Sequence, residues 1–225
     1  DELRAFLQNF YADDTWTHLS IPGLVYITYP SEYGTLYSLS ELQQIAEICH
    51  EYHLPLYIDG ARMAYALAAQ PEISLADLAQ IADAFYIGGT KCGLLFGEAL
   101  VCRKGLLPNF FTIMKAHGAV MAKGRLLGLQ FLTLFTDGLY YEIGRQAVAL
   151  AQQLRQAFIR AGHKVAVDSP TNQQFFYLEN EVIDRLTQFA SFEYWGPRGA
   201  THSTVRFVTS WATKPEEVEQ FIQSL

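Results

Sequence analysis

The chain is poor in the features that would tie it to a membrane, a disulfide scaffold or a nucleic acid. Half of its 225 residues are hydrophobic, yet no uninterrupted apolar run reaches the ~18 residues of a helical span. Cysteine is scarce: Cys49, Cys92 and Cys102 are odd in number and lack metal-ligand spacing, so a disulfide framework is excluded and a reducing, cytoplasmic setting is expected. His53, His117, His163 and His202 show no ligand spacing either, and no metal is expected. Positive charge is short, with 16 Lys and Arg against 23 Asp and Glu, and no basic block interrupts the net charge of −7. That balance argues against nucleic acid as a partner. Repeats, low-complexity tracts and a signal-peptide pattern are missing as well. The sequence opens on Asp1-Glu2-Leu3 without methionine and already in helical rhythm, so it reads as the interior of a longer protein.

What the sequence does contain is concentrated between Pro55 and Gly93. Leu56-Tyr57-Ile58-Asp59 is a short apolar run ending in an acid, followed by Gly60-Ala61-Arg62. Ala84-Phe85-Tyr86-Ile87 is a second such run, followed by Gly88-Gly89-Thr90-Lys91-Cys92-Gly93. Both read as buried strands closed by glycine, with two helical pieces between them. Parallel strands joined by a crossover bring their C-terminal ends to one sheet edge, so Asp59 and Lys91 are expected to face one crevice. An acid and a lysine converging there are what a pyridoxal phosphate site requires. The lysine forms a Schiff base with the cofactor's aldehyde, and the acid keeps the ring nitrogen protonated. Taken singly, Asp-Gly would cap a turn and a lysine after Gly-Gly-Thr would be a solvated loop; the pairing favours chemistry.

The rest of the chain frames that stretch. Leu3, Phe6, Leu7 and Phe10 mark a helix, Leu24 to Thr28 a strand, and Ser38 with Glu41 a capping box that opens a helix to about Tyr52. The loop Tyr29 to Thr35 follows the strand's C-terminal end and is expected over the same crevice. Ala61 to Ala69 is helix-prone, and Ser74 caps a further helix to about Ile81. Glu98 to Cys102 reads as an antiparallel edge strand. From Leu106 to Arg160 helical periodicity dominates, broken near Gly118 and at Asp137-Gly138, and Gly162 stops the last helix. Strands near 164–167, 175–178, 192–195 and 205–209 then alternate with a helix around 181–189. A final helix from Pro215 is expected to be capped by Thr213 with Glu216. Phe189, Phe192, Tyr194 and Trp195 are assigned to the core of this last part. These elements divide the chain into residues 1–140, part of an α/β large domain with long helices, and residues 141–225, a small α+β domain.

At Tyr57 to Arg62 and Gly88 to Gly93 the sequence resembles the threonine aldolase and aromatic amino acid β-eliminating lyase family, over essentially the whole chain. Ser31 to Thr35 with Ser38, Lys115 to Gly118 and Val205 to Thr209 sit where members carry comparable stretches. The resemblance implies an α/β fold of the pyridoxal-phosphate-dependent transferase type (fold type I), incomplete at its N-terminus. It implies pyridoxal 5'-phosphate as cofactor, with Lys91 as the lysine that attaches to it and Asp59 as the partner of the pyridine nitrogen. Arg62 and Thr90 complete the cofactor-binding set. Arg206, Arg62 and Tyr33 are the implied substrate-binding residues, a planar guanidinium matching a planar carboxylate. Lys115 and Lys123 fall in a segment near the active site of relatives, at the boundary between subunits. The implied activity is cleavage of the Cα–Cβ bond of β-hydroxy-α-amino acids, threonine giving glycine and acetaldehyde. Alternatives are β-elimination from an aromatic amino acid and a truncated, non-catalytic oligomerising chain. The base for the β-hydroxyl proton is left among Glu32, His117, water and a residue outside this chain, with Glu32 the first candidate. Where many threonine aldolases carry a histidine, this chain has Glu32. Members also hold the cofactor phosphate and stack on its ring with residues preceding the point where this sequence begins. The expectation is therefore a C-terminal portion of a longer enzyme, unable to hold the cofactor normally by itself, and a homodimer or homotetramer.

Overall fold

In the computed structural model, which describes residues 2–225, the amphipathic opening is α1 (Glu2–Ala12) and the first apolar run is β1 (Val25–Thr28). The Ser38 signal is realised in full. Its hydroxyl accepts the Glu41 N–H at 3.2 Å while the Glu41 carboxylate takes the Ser38 N–H at 2.7 Å, and this reciprocal pair starts α2 (Leu39–Glu51). β2 (Leu56–Asp59) follows, then the alanine-rich α3 (Met63–Ala69). α4 (Leu75–Ile81) is opened by Ser74 and Asp77 in the same reciprocal way, and β3 (Ala84–Gly88) comes next. The edge strand is β4 (Glu98–Cys102). Helices α5 (Phe110–Ala116), α6 (Arg125–Phe135) and the long α7 (Leu139–Arg160) occupy the middle of the chain. The remainder is β5 (Lys164–Val167), β6 (Gln173–Glu179), α8 (Asn180–Leu186), β7 (Glu193–Tyr194), β8 (His202–Val208) and α9 (Pro215–Ile222).

Two four-stranded sheets result. The first has the order β1-β2-β3-β4, parallel from β1 to β3, with β4 antiparallel to β3. The second has the order β5-β6-β8-β7 and is antiparallel throughout. Strand alternation splits the first sheet into two unlike faces. Leu56, Ile58, Phe85 and Ile87 point into the main core with α3, and Gly144 lets α7 approach so closely that a Cβ there would stand 2.4 Å from the Ala64 carbonyl oxygen. The other face carries Tyr26, Tyr57, Asp59, Tyr86 and Leu100, of which Tyr26 is 54% and Leu100 43% exposed. The candidate site lies at the C-terminal rim of this second face. A separate core fills the second sheet, where Phe158 of α7 stacks on Phe176 at 3.9 Å between ring centres and packs with Phe207 and Phe221.

Three local expectations are corrected. The Thr213 hydroxyl accepts the Ser210 N–H at 2.9 Å, so it is engaged upstream and the cap of α9 moves one residue on, with Glu217 rather than Glu216 accepting the Lys214 N–H. β6 and β8 each start earlier than their hydrophobic runs, because they pair residue for residue from Gln173↔Val208 to Glu179↔His202. Of the aromatic cluster, Phe192 packs on Phe207 at 4.8 Å, whereas Phe189 is 54% exposed and Trp195 covers an arginine.

Candidate active site

Asp59 ends β2 and Lys91 stands in the 3-10 turn Thr90–Cys92 that follows β3, the neighbouring parallel strand. Parallel pairing sends both chain ends to the same rim, and the two groups feel each other's charge there. Arg62 begins the turn into α3, with its side chain only 14% exposed, and forms a 3.5 Å ion pair with Glu32 from the loop after β1. The structure thus gathers Lys91, Asp59, Arg62 and Glu32, contributed by the segments that follow three adjacent parallel strands.

The Asp59 carboxylate is held by three donors. Oδ1 accepts the Tyr86 hydroxyl at 2.5 Å and the Ala61 N–H at 3.0 Å, and Oδ2 accepts the Tyr26 hydroxyl. Burial by itself would raise this carboxyl; the two hydroxyls, the amide and the Lys91 charge outweigh it, so it stays below the usual carboxylate range. The same bond pushes the Tyr26 phenol up to about 12. Neither tyrosine figures in the sequence expectation. The alternation of Tyr57 and Asp59 fixes their common face, but only the register of β2 against β3 brings Tyr86 alongside. Tyr86→Phe is expected to raise the Asp59 pKa, because it removes a donor from the charged form. A 13C NMR titration of the Asp59 carboxyl reads the shift.

Lys91 is displaced in the opposite sense for an amine. Burial comes first and the Arg62 guanidinium second, and together they lower it below the ordinary lysine value against the pull of Glu32, Asp59 and Glu98. A larger neutral fraction is what a nucleophilic amine needs. Cys92, beside it, is fully buried, and burial pushes its thiol up to about 12, which marks a packing residue.

Arg206 lies in β8, its side chain 10% exposed. It donates to Gln173 Oε1 at 2.8 Å, pairs with the Glu193 carboxylate, and lies over the Trp195 ring with its guanidinium carbon 4.6 Å from the ring centre. Its Nε is buried without a partner. Tyr33 joins the same group, edge-on to Trp195 at 5.6 Å and tilted on Phe175 at 6.1 Å. Gln173, buried, also donates to the Ser31 carbonyl at 3.5 Å, and Ser169 Oγ donates to the Gly34 carbonyl at 3.2 Å. The loop that carries Glu32 and Tyr33 is therefore seated on the second sheet. Arg206 and Tyr33 form one cluster and Lys91, Asp59, Arg62 and Glu32 another, with this loop between them. Thr90 contributes its hydroxyl to Glu98 at 3.2 Å. Lys115 lies on α5 and Lys123 in the loop before α6; no polar contact ties either to the two clusters among the described residues.

The donor set fits pyridoxal phosphate: an amine of lowered pKa for the aldehyde, an ionised carboxylate for the ring nitrogen, and guanidinium groups for the phenolic oxygen and a substrate carboxylate. Among the described residues no grouping of His, Cys, Asp and Glu could hold a metal ion.

Comparison with known proteins bears on family and fold. The chain is 28% identical over 214 residues to a low specificity L-threonine aldolase of Pseudomonas aeruginosa, covering 92% of this chain and 60% of that protein. A threonine aldolase of Leishmania major superposes with a TM-score of 0.91 at 38% identity, over 98% of this chain and 65% of that one. The chain spans less than two thirds of the length of either relative. A serine palmitoyltransferase of Sphingomonas wittichii, 13% identical with a TM-score of 0.63, shares the fold. The architecture is the pyridoxal-phosphate-dependent transferase-like fold, fold type I. The Beta-eliminating lyase family profile matches residues 2–181, and the chain belongs to that family.

Proposed function

We propose that this chain carries the lysine-bearing part of a pyridoxal-phosphate-dependent lyase that cleaves the Cα–Cβ bond of β-hydroxy-α-amino acids, threonine giving glycine and acetaldehyde. The observation that carries the reading is the convergence of Lys91, Asp59, Arg62 and Glu32 at the rim of three parallel strands. Bound there, the cofactor supplies a conjugated ring that takes up the electron pair left on the substrate's α-carbon. Lys91 would hold the cofactor through its aldehyde, and the ionised Asp59 would keep a proton on the ring nitrogen. Arg206 with Arg62 fixes the substrate carboxylate and so sets which bond at Cα is aligned for cleavage. Glu32 accepts the β-hydroxyl proton as the Cα–Cβ bond breaks and the aldehyde carbonyl forms. Reprotonation of Cα completes glycine, and Lys91, which the substrate amine would have displaced from the cofactor, would close the cycle. Thr90 adds a hydroxyl beside the lysine, and Tyr33 forms part of the substrate wall.

The setting we infer is the cytoplasm, which the free Cys49, Cys92 and Cys102 suit. Among the described residues no helix is long and apolar enough to cross a membrane. We infer a homo-oligomer, because Leu126, Leu129 and Leu132 line one side of α6 at 48%, 57% and 66% exposure.

Incubation with pyridoxal phosphate and L-threonine is expected to release glycine and acetaldehyde in equal amounts. Release of pyruvate and ammonia from tyrosine or tryptophan, with threonine inert, would instead identify β-elimination. Within the reading, Arg206→Lys should raise KM for the amino acid about 10- to 100-fold with a smaller change in kcat, because a point charge replaces a two-pronged donor. Steady-state kinetics on threonine measures the split.

A further inference from the structure

Glu98 opens β4, and the strand register sets it directly opposite Gly88, the last residue of β3. It is exposed, yet both of its carboxylate oxygens turn back over the segment that leaves β3. Oε2 accepts the Gly89 N–H at 2.6 Å and Oε1 the Thr90 hydroxyl at 3.2 Å. That segment is one 3-10 turn, closed by Cys92 N–H and Leu94 N–H on the Gly89 carbonyl at 2.9 and 3.1 Å. From the other side Tyr65, buried on α3, donates its hydroxyl to the carbonyl of Lys91 itself at 2.5 Å. The lysine's backbone is thus gripped ahead of the residue by a carboxylate and at the residue by a phenol. An isolated 3-10 turn has too few bonds of its own to fix a side-chain direction. A carboxylate accepting a backbone N–H is among the stronger hydrogen bonds.

We propose that Glu98 is a positioning residue for Lys91, holding the turn through the Gly89 amide and the Thr90 hydroxyl. The proposal rests on the reading of Lys91 as the amine that takes the cofactor's aldehyde. The groups around that amine are Arg62 from the turn after β2, Asp59 from β2, Glu32 from the loop after β1 and Glu98 from β4, with Cys92 and Tyr65 behind the turn. Glu98 acts with Asp59 and Glu32 to favour the charged amine, against burial and Arg62. Removing its charge therefore lowers the Lys91 pKa further and leaves the lysine less firmly aimed.

The test uses the full chain in three forms, unaltered, Glu98→Gln and Glu98→Ala, with Glu181→Gln on α8 as a control. Trace reductive methylation with formaldehyde, quantified by peptide mass spectrometry across pH, reads the Lys91 amine without any cofactor. Hydrogen exchange reads the Gly89 amide. The midpoint for Lys91 methylation is expected to fall measurably in Glu98→Gln. Gly89 exchange is expected to speed up about tenfold or more in Glu98→Ala, with β1 and β2 still protected. An unchanged midpoint, an unchanged Gly89 rate, or a loss of protection spread evenly over the first sheet overturns the proposal. A parallel arm treats the unaltered chain with pyridoxal phosphate and borohydride. If Lys91 stays unlabelled there, the cofactor reading fails, and the methylation and exchange results still decide the role of Glu98.

Discussion

Lys91→Ala is expected to lower kcat for threonine cleavage by at least about three orders of magnitude, with the chain still folded. The turn that carries the amine is held through the Gly89 N–H, the Thr90 hydroxyl and the Lys91 carbonyl, none of which involves the lysine side chain. Truncating it should therefore leave stability within about 0.5 kcal/mol of the original. Lys91→Arg should lose as much activity, because it keeps the charge but a guanidinium is not a nucleophile at any accessible pH. A small added amine should recover part of the lost rate in Lys91→Ala and none in a variant that fails to fold. Initial rates with thermal unfolding measured alongside decide the matter. An alanine variant with near-normal turnover would remove Lys91 from the chemistry.

Gly88→Ala is expected to be strongly damaging for a single added methyl group. A Cβ at Gly88 would stand 2.3 Å from the Ala61 carbonyl oxygen and 2.6 Å from its carbon, and these are backbone atoms that cannot swing away. Gly88 also donates its N–H to the Gly60 carbonyl at 2.9 Å, so the end of β3 is tied to the turn that follows Asp59. Relieving the clash means prising the Gly60–Arg62 turn away from the Gly88–Lys91 turn, and that separates the two halves of the site. The expected cost is about 2–4 kcal/mol, the usual consequence of overpacking against fixed backbone with a broken hydrogen bond. Denaturant unfolding reads this as a lower midpoint at unchanged slope. The same variant should bind pyridoxal phosphate less tightly even where it remains folded.

Much of the first sheet was legible because its signals are local. Ser38 with Glu41, Ser74 at the start of α4, and the glycines after Asp59 and Ile87 each act within a few residues, and the resulting elements lie where those signals put them. The antiparallel edge strand Glu98–Cys102 was legible for the same reason. What escaped depends on contacts between residues far apart in sequence. Tyr26 and Tyr86 reach Asp59 only through the pairing of β1, β2 and β3, and Glu98 reaches Gly89 only through the pairing of β3 and β4. Trp195 reads as another core aromatic until β7 pairs with β8 and lays it over Arg206. Thr213 carries a good capping side chain, but Ser210 claims it first.

The account stands on Lys91 as the point of attachment for the cofactor. Reduction of the chain with borohydride after incubation with pyridoxal phosphate, followed by a peptide map, tests this most directly. One modified peptide containing Lys91 is the expected result, with the label abolished by Lys91→Ala. Label confined to other lysines, or none above the level of a denatured control, would contradict it.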